Sequence, residues 1–87
     1  LRVGSPSYLR WDKVVLSSEH FNSIFIPEGC AHGYQVLEND SELIYLHSGN
    51  WVGAAETGVR WNDPQINVDW PLSQKNLSDR DQKLPFL

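Results

Sequence analysis

The 87-residue chain contains no methionine and a single cysteine, Cys30. One cysteine cannot form an internal disulfide, so the composition predicts a protein of a reducing cytoplasm. Because the sequence begins at Leu1 without an initiator methionine, we expect further residues upstream. No apolar run approaches the roughly 20 residues that span a bilayer, which argues against membrane insertion.

Basic residues are also few, with seven Lys and Arg against eleven Asp and Glu and a formal net charge of −4. A surface of this sign repels a phosphodiester backbone, so nucleic acid is not an expected partner. The chain is 40% hydrophobic and includes four tryptophans, which is a globular composition. We expect residues 1–87 to form one domain, with a core that is marginal at this size.

Short segments of alternating apolar and polar residues follow one another along the chain, separated by turn residues. The predicted strands are 9–16, 23–26, 31–37, 42–47, 59–61 and 66–68. Turns are predicted at 17–19, 27–29, 38–41 and 62–64, and one helical turn at 78–81. This succession predicts an all-β sandwich or barrel, and a closed roll is the preferred form.

The segments 31–37 and 42–47 are predicted to pair as a hairpin around Asn39 and Asp40. Because side chains alternate between the faces of a strand, one face carries His32, Tyr34, Val36, Leu43, Tyr45 and His47. Residues directly opposite each other lie about 5 Å apart and diagonal ones about 7 to 8 Å, so His32 and Tyr45 could flank one sugar-sized ligand. The alternative is that these side chains only pack, each with a backbone partner.

A turn motif immediately precedes this hairpin. Pro27-Glu28-Gly29-Cys30-Ala31-His32 has the Pro-x-Gly-x-x-His spacing of the second cupin motif, in which the turn delivers a histidine into the mouth of a β-barrel. Metal-binding cupins add ligands from an upstream His-x-His and a glutamate, which this chain does not contain. His32 alone cannot hold a metal ion, because a site needs at least three protein ligands. A metal-dependent cupin with His47 as second ligand remains an alternative.

A longer set of motifs resembles the dTDP-4-dehydrorhamnose 3,5-epimerase family. The matching segments are 26–37, Tyr45, Arg60-Trp61-Asn62-Asp63-Pro64, Trp70-Pro71 and Leu77-Ser78-Asp79-Arg80-Asp81. Their order and spacing run through nearly the whole chain and place Leu1 about halfway along a family member. The resemblance implies the carboxyl-terminal part of an all-β, cupin-type jelly roll (a partial double-stranded β-helix barrel) with a short C-terminal helical turn. It also implies no metal and no cofactor.

The resemblance further implies a reaction on a nucleotide-linked keto-sugar. The family inverts two carbons beside the ketone of a dTDP-4-keto-6-deoxyhexose, on the path to rhamnose, by removing a proton on one face and returning one on the other. By position, Tyr45 matches the acid, Asp81 the aspartate that orients the base, and His32 a histidine that touches the substrate. Trp51, where the family usually has a tyrosine, and His47 are further candidate substrate contacts.

The family's base is a histidine in the first half of its domain, and it has no counterpart in this chain. His20 lies in a polar turn and His47 sits beside the tyrosine, so neither takes its place. Two functions therefore stay open. The chain is either part of a 3,5-epimerase, or a non-catalytic truncated cupin that binds a nucleotide sugar or serves as a structural module.

Other motif residues are interpreted as structural. Trp61, Asp63 and Trp70 fit a tryptophan-rich wall and an Asx-Pro turn. Half of a β-roll also leaves strand edges and apolar faces uncovered, among them Ile44 and Leu46. Such surfaces favour pairing with another chain, so we expect a homodimer built by sheet extension or strand exchange.

Overall fold

The computed structural model describes residues 1–87 and contains two short helical elements. A 3-10 helix spans Gly53–Ala55, and one α-helix, α1, spans Asp79–Lys83. The hydroxyl of Ser78 caps α1 by accepting a hydrogen bond from the Asp81 N–H at 3.1 Å. Capping of this kind satisfies a backbone N–H donor that would otherwise be unpaired at the start of a helix. The helix confirms the predicted C-terminal helical turn.

The predicted turn at 27–29 is confirmed as well. The Cys30 N–H donates to the Pro27 carbonyl at 3.3 Å, and Gly29 has a φ of 87°. A positive φ at the third residue is the mark of a type II turn, and glycine adopts it without strain. The Arg2 side chain covers this glycine, with its Nε only 2.9 Å from where a Cβ would stand, and the Arg2 guanidinium also pairs with Glu28 at 3.0 Å.

Two further turns lie where the sequence predicts them. At 38–41 the Ser41 hydroxyl donates to the Glu38 carbonyl at 2.8 Å, and Asp40 has a φ of 59°. After residue 16 the Phe21 N–H donates to the Ser17 carbonyl at 3.0 Å. Asp and Ser favour such positions because their short side chains bond to nearby backbone.

The segments between these turns do not form a sheet in this structure. Backbone–backbone hydrogen bonds number 12, whereas a folded domain of this length forms about 60. None of them joins residues 31–37 to residues 42–47. No residue is assigned to a β-strand, so the all-β cupin-type jelly roll stays a prediction.

The chain has no buried apolar core, and Asp63, at 1% exposure, is its one buried residue. The accessible surface is 8195 Å², against about 5,200 Å² for a folded monomer of this mass. The radius of gyration is 14.1 Å, against about 12 Å for a compact domain of 87 residues. Much apolar surface is therefore free to contact another chain. Neither helical element has the length or the apolar character needed to cross a membrane.

Candidate active site on the aromatic hairpin

Residues 31–47, called here the aromatic hairpin, bring three of the five candidate side chains together. The ring of Tyr45 lies 6.1 Å from that of His32, centroid to centroid, with the planes tilted by 44°. It lies 5.8 Å from the ring of His47, with the planes within 20° of parallel. Positions 45 and 47 share a face in any extended backbone, which accounts for the second contact. The phenol therefore has two imidazole neighbours.

The phenol of Tyr45 is partly shielded from water. Tyr45 is 45% exposed. Partial burial, followed by the neighbouring Tyr34 phenol, raises the pKa of Tyr45 above its ordinary value of 10.0. Removal of a hydroxyl proton from an incompletely hydrated phenol beside another phenol is unfavourable, so Tyr45 remains a proton donor at neutral pH.

The opposite side of segment 31–37 packs against residues 70–73. The Gln35 amide pairs with the backbone of Leu72, donating to its carbonyl at 3.0 Å and accepting from its N–H at 3.1 Å. The Trp70 ring comes within 3.7 Å of where a Cβ on Gly33 would stand. Gly33 and Gln35 thus face residues 70–73, as the predicted alternation requires. The partner of Gln35 was not predicted, because it lies 37 residues away and no local pattern indicates it.

The other two candidates lie apart from the rings. Trp51 is 80% exposed, and its ring folds over Gly53, 2.6 Å from where a Cβ would stand. Asp81 lies in α1, where its carboxylate meets Arg80 at 3.7 Å. Neither side chain pairs with His32, Tyr45 or His47. The ring of His20 is likewise engaged elsewhere, at 2.8 Å from the Ser17 hydroxyl, as expected for a residue of a polar turn.

A second organised region surrounds the carboxylate of Asp63. Its Oδ1 accepts from the N–H groups of Gln65 at 2.8 Å and Ile66 at 3.3 Å, which confirms the predicted Asx-Pro turn. Its Oδ2 accepts from the Leu87 N–H at 2.6 Å. The hydrogen bond from Leu87 lowers the pKa of Asp63 below its ordinary 3.8. Burial opposes that lowering, and the bonds from Gln65 and Ile66 add to it.

Arg60 completes this region, called here the Asp63 network (residues 60–66 with 82–87). Its N–H donates to the Pro85 carbonyl at 2.9 Å, and its Nε donates to the Leu84 carbonyl at 3.0 Å. Its guanidinium also lies 4.7 Å from the centre of the Phe86 ring, a cation–π distance. Trp70 donates from Nε1 to the Trp61 carbonyl at 2.9 Å, in line with the structural role predicted for both tryptophans.

Two cavities of the chain lie away from the aromatic hairpin's rings. One of about 420 Å³ opens beside Arg60 and Lys75, and one of about 400 Å³ opens beside Gly29 and Gly58. The rings instead stand on an open surface, which another chain would have to cover to make an enclosed site. No group of three or more His, Cys, Asp or Glu side chains comes close enough together to hold a metal ion.

Comparison of the sequence with known proteins shows the family of the chain. The model of the family described as dTDP-4-dehydrorhamnose 3,5-epimerase matches residues 1–87, which is the whole chain. The chain belongs to the dTDP-4-dehydrorhamnose 3,5-epimerase family. The predicted resemblance is thereby confirmed. The Pro-x-Gly-x-x-His segment 27–32 and the Asp63 turn both fall within the matched range.

Similar proteins carry closely related names. The chain is 38% identical over 81 residues to a dTDP-4-dehydrorhamnose 3,5-epimerase of Shigella flexneri, with 93% of the chain and 45% of the relative covered. It is 39% identical over 88 residues to one of Mycobacterium tuberculosis, with 98% and 44% covered. A dTDP-4-dehydrorhamnose 3-epimerase of Streptomyces niveus is 39% identical over 82 residues, with 94% and 40% covered.

The chain thus spans less than half the length of these three relatives. No solved structure matches it significantly.

Proposed function

We propose that this chain supplies the acid side of a sugar-nucleotide epimerase, which acts on a dTDP-4-keto-6-deoxyhexose at the carbons beside the ketone. Tyr45 is the proton donor, and His32 contacts the substrate near its carbonyl. The observation that carries the proposal is the phenol of Tyr45 with imidazole rings at 6.1 and 5.8 Å, in a chain matched by the epimerase family along its whole length.

The chemistry requires two groups on opposite sides of the sugar. A carbonyl acidifies the C–H bonds next to it, so a base removes one proton and leaves an enolate. A proton delivered from the other face then inverts the carbon. Tyr45 suits this delivery because a phenol with an ordinary pKa of 10.0 is protonated at neutral pH, and partial burial raises that pKa further. An imidazole near the carbonyl oxygen, the place of His32, stabilises the negative charge that develops there by donating a hydrogen bond.

The base comes from outside this chain in our proposal. The rings of His32 and His47 are both immediate neighbours of the donor phenol, whereas inversion needs a base across the substrate from it. Asp81 would orient such a base once the site is covered, a role consistent with a half-exposed carboxylate near the C-terminus. Trp51, with its exposed ring, offers a flat face on which a sugar or nucleotide base could stack.

We further propose that the chain works as a homodimer in the cytoplasm and completes a cupin-type jelly roll when it assembles. Support comes from the surface, which exceeds that of a compact monomer by about 3,000 Å², an area of the order that obligate interfaces bury. Ile44 and Leu46 are 87% and 95% exposed, so the back of the hairpin offers apolar contact area. Light scattering at micromolar concentration checks this proposal, and a clean monomer contradicts it.

A non-catalytic module is the competing function. It is favoured by the position of Asp81, which has no imidazole partner within the chain. Such a module would bind the nucleotide sugar without exchanging any proton on its carbons.

The test is an epimerisation assay in D₂O with a dTDP-4-keto-6-deoxyhexose. The chain is assayed alone, and mixed with the portion of the Shigella flexneri relative that it does not match. We expect inverted, deuterium-labelled sugar only in the mixture. Tyr45→Phe in the mixture should lower the rate at least about 100-fold, the lower bound for loss of a general acid. Tyr34→Phe, on the same hairpin, is the matched control and should change the rate far less.

Each other outcome has a definite meaning. Binding of the sugar nucleotide without inversion in the mixture supports the non-catalytic module. Inversion by the chain alone shows that the base lies within it and contradicts our assignment. The number of deuterium-labelled carbons distinguishes the two reactions. One labelled carbon indicates a 3-epimerase, as the Streptomyces niveus relative is named, and two indicate a 3,5-epimerase.

A further inference from the structure

The ring of His47 is stacked on the phenol of Tyr45 in a way that suggests a role separate from the substrate. The two planes lie within 20° of parallel with centroids 5.8 Å apart, the geometry of an offset stack. The ring of His32 is tilted by 44° at 6.1 Å and so presents a different contact. Tyr45 thus has one neighbour that covers its face and another that stands at an angle to it.

We infer that His47 is a positioning residue, which holds the Tyr45 ring in the orientation needed to deliver its proton. This inference rests on the proposed function and deepens it. The segment around Tyr45 has no backbone hydrogen bond to a neighbouring strand, so the ring's place depends on its side-chain neighbours. A tyrosine ring that is 45% exposed would otherwise sample several rotamers. Delivery of a proton tolerates little misplacement.

We expect the same stack to shield one face of the phenol from water. Partial burial is the first cause of the raised pKa of Tyr45, and His47 is one of its two imidazole neighbours. The titratable groups around Tyr45 are Tyr34, His32 and His47, and no carboxylate pairs with any of them. Loss of the His47 ring should therefore expose the phenol and bring its pKa back toward 10.0.

The test compares His47→Ala, which removes the stack, with His47→Phe, which keeps an aromatic face and loses the ring nitrogens. In the full 87-residue chain, NMR titration of Tyr45 labelled with ¹³C at Cζ should show a lower pKa in His47→Ala and a retained one in His47→Phe. His20→Ala, in the polar turn, is the control and should leave the titration unchanged. The indole signal of Trp70 reports whether each variant keeps its fold.

The epimerisation assay of the mixture gives the second readout. His47→Ala should lower kcat by about 2- to 12-fold with KM retained, as expected for loss of one aromatic pair. His47→Phe should recover most of kcat. A rise in KM with kcat unchanged in both variants would make His47 a substrate contact and overturn the inference, and so would an unchanged Tyr45 pKa in His47→Ala. If the unmodified mixture shows no inversion, the proposed function fails, while the titration still decides whether the stack positions Tyr45.

Discussion

The aromatic hairpin and the Asp63 network differ in the contacts that hold their side chains in place. In the Asp63 network a buried carboxylate accepts three backbone N–H groups, and an arginine ties the same segment to the C-terminus. In the aromatic hairpin the rings meet, yet no backbone N–H of residues 31–37 or 42–47 bonds to another backbone group. The network is complete within the chain. The hairpin carries the side chains that we propose to act on the sugar, and in that proposal another chain covers them.

The largest expected effect concerns the Asp63 network. Asp63→Asn replaces the carboxylate that accepts the three N–H groups by an amide. The amide NH₂ group then faces at least one of these N–H groups, which loses its acceptor. We expect amide hydrogen exchange at Leu87 and Ile66 to accelerate about tenfold or more. Exchange in residues 31–47 should not change.

A matched carboxylate serves as the control. Asp69 is exposed and approaches Lys13 at 3.7 Å, a surface pair of little energetic value. Asp69→Asn should leave the exchange rates of Leu87 and Ile66 unchanged. Equal acceleration in both variants would mean that net charge, rather than the buried carboxylate, controls the network.

The second prediction concerns the pH dependence of the stability of the Asp63 network. The pKa of Asp63 is lowered in the folded chain, so its contribution to stability is present above its ordinary pKa of 3.8. That contribution is lost as the pH falls through the lowered value, because the proton then binds more tightly to the unfolded chain. We expect the indole signals of Trp61 and Trp70 to change in that acid range. In Asp63→Asn the same signals should show no such transition.

The smallest effect concerns the contact between the two regions. Gln35→Ala removes the paired hydrogen bonds to Leu72, each worth about 0.5–1.5 kcal/mol. The Leu72 amide should then exchange faster by about 2- to 12-fold, while the Leu87 amide keeps its rate. Gln74→Ala, two residues beyond Leu72, is the control. Faster exchange at Leu87 would show that hairpin and network form one cooperative unit.

Local rules predicted those features whose causes lie within a few residues. The glycine of the turn at 27–29, the Asx-Pro turn at Asp63 and the serine cap of α1 each depend on neighbours at most four positions away. The grouping of His32, Tyr45 and His47 also follows from side-chain alternation and one turn.

Features that join distant segments were not predicted. The Asp63 turn is visible in the sequence, but its bond to Leu87 spans 24 residues, and nothing local distinguishes Leu87 from other partners. The pairing of the predicted strands stays a prediction, because no residue forms a β-strand in this structure. For the candidate site, the sequence indicated Tyr45 and its imidazole neighbours. The stack of His47 on Tyr45 could not be predicted, because side-chain alternation gives a shared face but not the orientation of a ring.

The distance between the rings of His32 and Tyr45 tests the central claim most directly. Nuclear Overhauser measurements on the chain, selectively labelled at histidine and tyrosine, should show cross-peaks between the ring protons of His32 and Tyr45, as rings 6.1 Å apart require. The same spectra should show cross-peaks from Tyr45 to His47. Cross-peaks from Tyr45 to Gln35 or Leu72, with none to His32, would put the phenol on the opposite side of the hairpin and contradict the proposed site.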